Sequence, residues 1–189
     1  MSQFVRAFLS FDIEDPAIRK QLADMQMLAV QTGADLKPVE TENIHMTIRF
    51  LGDITLSMAD KIFLEMQQVK FKPFPVHLEG LGVFPSLNFP RVLWAGIAQG
   101  AKQLSNVFQQ LEPKLRGLGL PPEHNAFSPH LTIARVRSPR NKAQLADLVT
   151  KNVKYDFGTV EAKCLRLKRS ELTPKGPIYS TLKEFCPKS

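Results

Sequence analysis

Two short stretches, NIHMTIRFLG at residues 43–52 and SPHLTIARV at residues 128–136, are the most informative parts of the sequence about its fold. Each alternates apolar and polar residues as a half-buried strand does, and each contains the pattern His-x-Thr. Because side chains alternate along a strand, His45 and Thr47 are expected on one face of the first stretch. The same alternation predicts that Arg49 shares this face. His130 and Thr132 are expected on the matching face of the second stretch.

The elements around the two motifs recur in the same order, and the two histidines lie 85 residues apart. Strands are expected at 3–13, 43–52, 76–84, 91–97, 128–136 and 159–172; helices at 16–31, 57–69 (capped by Ser57), 101–115 and 140–152; and a terminal hairpin at 173–189. The pattern predicts an α+β fold in one domain over 1–189. We interpret it as two duplicated β-α-β-α-β lobes, repeats of about 3–84 and 91–172, related by a pseudo-twofold axis.

Composition limits the class of protein. Of the 189 residues 43% are hydrophobic, which is enough for a real core. The chain has 25 Lys and Arg against 18 Asp and Glu, a net charge of +7. Such a balance favours a polyanionic partner or an anionic substrate, and a merely solvated basic surface is the alternative.

Two cysteines, Cys164 and Cys186, are too few for the disulfide framework of a small secreted domain and lack metal-ligand spacing. We therefore expect both to remain reduced thiols. The first residues do not form a signal-peptide pattern, and no apolar run approaches the roughly 20 residues of a membrane span. The expected protein is soluble, cytoplasmic and monomeric, without a membrane or an obligate protein partner.

If the two motif strands are related by the pseudo-twofold axis, we expect them to present two imidazoles and two hydroxyls to one cleft. Near neutral pH one histidine can accept a proton while the other donates one. Phosphodiester chemistry needs this division of labour, since a base activates the attacking oxygen and an acid protonates the leaving oxygen on the far side of phosphorus. Thr47 and Thr132 could each donate a hydrogen bond to a non-bridging phosphate oxygen.

Other chemistries have less support in the sequence. A zinc site would need a third ligand near the two histidines, and neither motif strand offers one on the histidine face. Phosphate-binding glycine loops and serine-hydrolase elbows are missing from the sequence. No metal and no cofactor are therefore expected. The remaining histidines, His77 and His124, lack an adjacent threonine and are expected to be structural or exposed.

The segments HMTIRFLGD (45–53), GVFPSLNFPRVLWAG (82–96) and SPHLTIARV (128–136) together resemble the 2H phosphoesterase superfamily. The resemblance is closest to its RNA 2′,3′-cyclic phosphodiesterase branch, also called 2′-5′ RNA ligase, and covers nearly the whole chain. It implies a bilobal α+β fold with antiparallel sheets facing a basic cleft. It also implies metal-independent hydrolysis of a 2′,3′-cyclic phosphate to a 2′-phosphate.

The resemblance makes His45 the proton donor to the leaving 3′ oxygen and His130 the base that activates water. The sequence itself does not order the two. Some members of the family also join or cleave 2′-5′ linkages in tRNA fragments without ATP, so the implied partner is RNA with a cyclic phosphate end. Arg49 stands where many relatives carry Lys.

The resemblance further places Arg135 at the phosphate. Strand alternation disagrees, because Arg135 shares the parity of the apolar Leu131 and Ile133. Reaching the cleft would need a bulge or a twisted strand end. Phe11, Phe84 and Tyr179 are candidates for stacking on a terminal base, with core packing as the alternative for each.

The sequence is compatible with two other functions. One is a 2H enzyme that acts on a small nucleotide. The other is an RNA-end-binding module without turnover, although simple binding does not require two groups that exchange protons.

Overall fold

Within residues 3–189, which the computed structural model describes, nine strands form one antiparallel sheet with four helices packed on it. The strands are β1 (Phe4–Asp12), β2 (Leu36–Pro38), β3 (His45–Thr55), β4 (Phe74–Pro85), β5 (Pro90–Gln99), β6 (Leu131–Val136), β7 (Asp156–Ala162), β8 (Leu165–Thr173) and β9 (Gly176–Phe185). The helices are α1 (Pro16–Gln31), α2 (Leu56–Met66), α3 (Ala101–Gly117) and α4 (Lys142–Lys151), and a 3₁₀ turn spans Thr41–Asn43. The predicted α+β class is confirmed.

The sheet has two halves that meet at the motif strands. Its order is β7-β4-β5-β6-β3-β1-β8-β9, and β2 pairs with β6 outside this path. Strands β3 and β6 are joined through one residue pair, Met46 opposite Leu131. The two predicted sheets are thus one formally continuous sheet with a narrow junction, and the residues next to this junction are the two histidines.

Each half of the sheet draws strands from both halves of the sequence. Strand β4, the third of the first repeat, pairs with β5 of the second repeat, and β8 pairs with β1 of the first. The strand expected over 159–172 is in fact two strands, because Lys163 and Cys164 interrupt it and β7 and β8 join different halves. The two sheet halves therefore do not coincide with the sequence repeats.

Helices α1 and α2 each begin where a side-chain oxygen accepts from an amide group of the first turn. Asp15 Oδ1 accepts from the Ala17 amide at 2.8 Å, and Pro16 occupies the first helical turn of α1, as predicted. The predicted cap of α2 is wrong: Thr55, not Ser57, caps it, with Oγ1 accepting from the Met58 amide at 3.1 Å. The buried faces of the helices join the sheet residues in a single core.

The two cysteines are not free thiols. Cys164 and Cys186 form a disulfide that ties the end of β9 to the junction between β7 and β8. The expectation of reduced thiols fails because it rested on the count of cysteines. A count carries no information on which two residues the sheet brings together.

Reduction of this disulfide is expected to lower the stability of the protein. The bond closes a loop of 22 residues, and chain-entropy arguments give about 3 kcal/mol for a loop of this size. For a chain of this length the melting temperature should then fall by about 6–12 °C. The measurement is thermal unfolding with and without reductant, with Cys186→Ser as the control. Equal melting temperatures for oxidised and reduced protein would contradict it.

None of the helices described in residues 3–189 is both long enough and apolar enough to cross a membrane.

Candidate active site

Matching bulges in the two motif strands set the faces of the site. In β3, Thr47 lies opposite Ser10 and Arg49 opposite Leu9, so Ile48 has no partner on β1. In β6, Thr132 lies opposite Trp94 and Ala134 opposite Leu93, so Ile133 has no partner on β5. An unpaired residue reverses the alternation beyond it. Strand parity therefore holds only up to each threonine.

The bulge in β6 brings Arg135 to the cleft. Arg135 lies opposite Val92, which shares a face of β5 with Trp94, the residue opposite Thr132. Residues directly opposite each other in an antiparallel pair point to the same face. Arg135 is exposed, whereas Leu131 and Ile133 are buried. The bulge that the parity argument required is present.

The bulge in β3 has the reverse effect on Arg49, and the predicted placement beside His45 is wrong. Arg49 is only 8% exposed; its Nε donates to Glu112 at 2.8 Å, and its other nitrogens donate to the carbonyls of Phe50 and Pro121. It links β3 to α3 and the following loop. Phe50, 60% exposed, takes the position in β3 that Arg135 has in β6.

The two histidines have the same hydrogen-bond environment. His45 Nδ1 lies 2.7 Å from the Asn43 carbonyl oxygen, and His130 Nδ1 lies 2.8 Å from the Ser128 carbonyl oxygen. A carbonyl can only accept, so each Nδ1 carries a proton and each neutral ring presents an unprotonated Nε2. This arrangement fixes ring orientation and leaves Nε2 available for proton transfer in both halves of the cleft.

Aromatic rings enclose His45. The buried Phe8 stacks on the imidazole with ring centroids 4.7 Å apart, and Tyr179 meets it edge-on at 5.5 Å. Burial in this setting lowers the pKa of His45, against the opposing effects of the hydrogen bond to Asn43 and the negative charge of Asp12. The neutral imidazole is therefore favoured in the absence of an anion.

A network of charges lies beside His45. Asp12, opposite His45 in the sheet, accepts hydrogen bonds from Lys168 at 2.7 Å and from Ser10 at 3.0 Å, and Arg166 lies 3.4 Å away. Burial acts to raise the pKa of Asp12, but these partners outweigh it and the net shift is downward. Asp12 thus stays ionised and supplies a fixed negative charge near His45.

Aromatic rings also lie beside His130. Phe84 meets the imidazole edge-on at 4.9 Å, and the Trp94 ring lies 6.3 Å away. These rings line a cavity of about 280 Å³ that also contacts His130. Gly82 is needed here, since a Cβ at this position would lie 2.1 Å from the Trp94 indole.

The structure brings most of the predicted site residues together. Thr47 and Thr132 are half-buried on the histidine face, and within residues 3–189 neither hydroxyl is engaged in a hydrogen bond. Phe84 contacts His130, and Tyr179 contacts His45. The prediction that Phe11 stacks on a terminal base is wrong. Phe11 is 1% exposed and packs on Phe71 and Phe74 in the core, because it belongs to the opposite face of β1.

The other two histidines lie outside this arrangement. His77 Nδ1 lies 2.9 Å from the Thr159 hydroxyl, and its Nε2 lies 3.4 Å from Asp156. His124 is exposed. A group with metal-ligand atoms, Cys164, Glu184 and Cys186, occurs at the end of β9, but the disulfide removes the thiolates that a metal would need.

Sequence reasoning missed three residues around His45, namely Phe8, Asp12 and Lys168. The signal for Phe8 was present, since Phe8 and Ser10 share a parity opposite to the core residues Leu9 and Phe11. Lys168 could not be found in this way, because its closeness to His45 depends on the pairing of β8, from the second repeat, with β1 of the first repeat.

Comparison with known proteins agrees with this geometry. The family model described as "LigT like Phosphoesterase" matches residues 13–94 and 96–179, so each match contains one His-x-Thr motif. The chain belongs to the LigT-like phosphoesterase family. It is thereby a member of the 2H phosphoesterases, and the predicted resemblance is confirmed.

Relatives of this LigT-like phosphoesterase carry a consistent name. The present chain is 38% identical to the RNA 2′,3′-cyclic phosphodiesterase of Aeropyrum pernix over 87% of this chain and 93% of the relative. It is 36% identical to the protein of that name from Archaeoglobus fulgidus over 96% of this chain and 99% of the relative.

Solved structures share the fold of this LigT-like phosphoesterase. A Thermus thermophilus protein has a TM-score of 0.77 with 27% identity, covering 96% of this chain and 97% of the other. The E. coli LigT complex with 3′-AMP has a TM-score of 0.79 with 21% identity, covering 99% and 100%. At the latter identity the likeness concerns the fold alone.

Proposed function

We propose that this LigT-like phosphoesterase hydrolyses RNA 2′,3′-cyclic phosphate ends to 2′-phosphates, with His45 as proton donor and His130 as proton acceptor. The observation that carries the proposal is the matched pair of imidazoles, each held through Nδ1 by a backbone carbonyl and each with Nε2 free. The names of the relatives at 36–38% identity support the substrate class.

The proposed reaction is one in-line displacement at phosphorus. His130 Nε2 takes a proton from water as the water oxygen bonds to phosphorus. The bond from phosphorus to the 3′ oxygen breaks, and His45 gives its proton to that oxygen. The products are a 2′-phosphate and a 3′-hydroxyl, and proton exchange with solvent restores both rings.

Substrate charge helps His45 to act as an acid. Its lowered pKa leaves the free enzyme with a neutral ring near neutral pH. An anionic phosphate about 4 Å from the imidazolium contributes about 4 kcal/mol at the effective dielectric constant of a protein surface. This interaction favours uptake of the proton, so the acid is formed in the complex that uses it.

The remaining polar and aromatic groups of the cleft have roles in binding the substrate. We assign the Thr47 and Thr132 hydroxyls to the non-bridging oxygens, where charge increases in the transition state, and Arg135 to the phosphate. Tyr179 and Phe84, half-buried beside the two histidines, are assigned to the terminal nucleotide. The protein is proposed to act as a monomer in the cytoplasm.

Ligation is the same transfer with a different acceptor. When an RNA 5′-hydroxyl replaces water, His130 takes the proton of that hydroxyl and the product is a 2′-5′ linkage, without ATP. We propose this reaction for RNA with a cyclic phosphate end, including tRNA fragments. Incubation of such ends with a 5′-hydroxyl RNA, followed by a search for joined product, tests it.

The experiment that tests hydrolysis is incubation of the purified protein, with EDTA, with a short RNA that ends in a 2′,3′-cyclic phosphate. We expect conversion to the 2′-phosphate, resolved chromatographically from the 3′ isomer. Formation of the 3′-phosphate would contradict the assigned leaving group. Lack of conversion, with measurable binding of the RNA, would favour a binding module, and conversion of cyclic mononucleotides alone would favour a small-nucleotide enzyme.

The order of acid and base can be tested through Asp12. Asp12→Asn removes the charge that raises the pKa of His45 and leaves Lys168 uncompensated, so the pKa of His45 should fall further. A group that must be protonated sets the alkaline limb of the kcat/KM profile. We therefore expect that limb to move to lower pH.

Glu14→Gln is the matched control for Asp12→Asn, because Glu14 is 69% exposed and pairs with Arg166 rather than with Lys168. Histidine titration by NMR in both variants reports the pKa of His45 directly. A shift confined to the acidic limb of the Asp12→Asn profile would identify His45 as the base and reverse the assignment.

A further inference from the structure

Three cations near the cleft have no carboxylate partner. Within residues 3–189, Arg6, Lys37 and Arg135 are exposed and form no ion pair. The neighbouring Arg166 and Lys168 differ, since Glu184 and Asp12 lie 2.7 Å from them. A cation without a partner can bind an external anion without breaking an existing pair.

Strand register brings Arg6 to the same region as Tyr179. Arg6 on β1 lies opposite Ser170 on β8, and Ser170 lies opposite Tyr179 on β9. Directly opposite residues share a face, and the Tyr179 ring is 5.5 Å from the His45 ring. Arg6 therefore lies on the histidine face. Asp53 on β3 faces Arg6 but does not form an ion pair with it.

The other two cations lie near the β8–β9 hairpin that carries Tyr179. Lys37 on β2 lies opposite Arg135 on β6. Arg135 and Arg6 both act to lower the pKa of the Tyr179 phenol, although burial outweighs them and raises it. Lys37 Nζ would lie 3.8 Å from a Cβ at Gly176, at the tip of the β8–β9 hairpin. The three cations thus surround one end of the cleft.

We propose that Arg6 and Lys37, on either side of the Arg135 that holds the reacting phosphate, bind the phosphodiester backbone of the RNA strand that leads to the cyclic end. The inference rests on the proposed function and specifies its substrate as an oligonucleotide rather than a cyclic mononucleotide. Exposed guanidinium and ammonium groups bind backbone phosphates irrespective of sequence. The groove that Arg6, Lys37 and Arg135 line therefore selects for the length of the RNA chain and not for base identity.

The test compares a cyclic mononucleotide, cytidine 2′,3′-cyclic phosphate, with a tetranucleotide that ends in a cyclic phosphate. The variants are Arg6→Gln, Lys37→Gln and the double variant. The control is Lys61→Gln, an exposed lysine of α2 that forms no ion pair with any residue of 3–189. In the double variant, kcat/KM for the tetranucleotide should fall at least about tenfold more than kcat/KM for the mononucleotide.

Salt dependence and binding complete the test. Each lost phosphate contact should reduce the slope of log affinity against log salt by about 0.7 for a single strand. Fluorescence anisotropy with a labelled tetranucleotide 2′-phosphate measures this slope without turnover. Equal losses on both substrates, or an unchanged slope, would overturn the inference.

The two proposals can fail separately. One outcome is that the wild type hydrolyses both substrates while the double variant behaves like Lys61→Gln. In that case the proposed binding of the RNA backbone in the groove is wrong, and the proposed hydrolysis is retained. If the wild type hydrolyses neither substrate, the proposed reaction is wrong, and anisotropy still decides the groove. In that case weaker binding by the double variant supports it, and equal binding overturns it.

Discussion

Replacing His130 with Ala is expected to lower the turnover of cyclic-phosphate RNA by about 10²- to 10⁴-fold, the usual contribution of a general base. The same range is expected for His45→Ala, because each ring is assigned one of the two proton transfers. The loss should appear in kcat rather than in KM, since the imidazoles transfer protons in the transition state and do not hold the bound substrate. The measurement is steady-state hydrolysis of a short RNA with EDTA present.

His124→Ala is the matched control for both variants, since His124 is exposed and lies outside the cleft. It should retain full activity. All three variants should unfold within a few degrees of the wild type, which separates loss of chemistry from loss of structure. Retention of more than about a tenth of the activity in both cleft variants would be incompatible with the two-histidine mechanism.

Replacing Arg49 with Leu is expected to reduce the free energy of unfolding by about 3 kcal/mol, as the removal of one partner of a buried ion pair does. The variant leaves Glu112, whose side chain is 14% exposed, and two backbone carbonyls without their donor. The melting temperature should fall by about 6–12 °C. Thermal unfolding measures this directly.

Arg137→Leu is the control for this prediction. Arg137 also pairs with a carboxylate, Asp35 at 3.2 Å, but its side chain is 61% exposed. An exposed pair contributes at most about 1 kcal/mol, so the control should change the melting temperature little. If both variants lose the same stability, the burial of Arg49 is not the cause. The double variant Arg49→Leu with Glu112→Leu should recover part of the loss.

Local periodicity predicted the elements of this protein well, because each element follows from spacing within ten to twenty residues. Helix α1 begins at Pro16 as expected, and the repeated His-x-Thr strands lie side by side. Periodicity fails where a single unpaired residue changes the phase. The bulges at Ile48 and Ile133 exchange the expected placements of Arg49 and Arg135.

Features that depend on pairing between distant segments could not be predicted in this way. The sequence does not state that β8 pairs with β1, so the closeness of Lys168 and Asp12 was missed. The disulfide between Cys164 and Cys186 has a different origin: the two cysteines flank the pair Leu165–Phe185 of the β8–β9 hairpin, so it follows from the register of that hairpin and not from the pairing of β8 with β1. The burial of Phe11 depends on which face of β1 the helices cover, and the sequence of β1 alone does not show this.

The exchange of third strands also limits how the protein can be divided. A fragment cut in the connection between β4 and β5 would contain β4 without its partner β5, and β1 without its partner β8. Each fragment would expose unpaired strand edges, which favour association. Two copies of one such repeat could satisfy each other by lending their last strands, which is the geometry of a domain-swapped dimer. In the present chain the two predicted repeats exchange their last strands in this way within one polypeptide, and each repeat contributes one of the paired histidines.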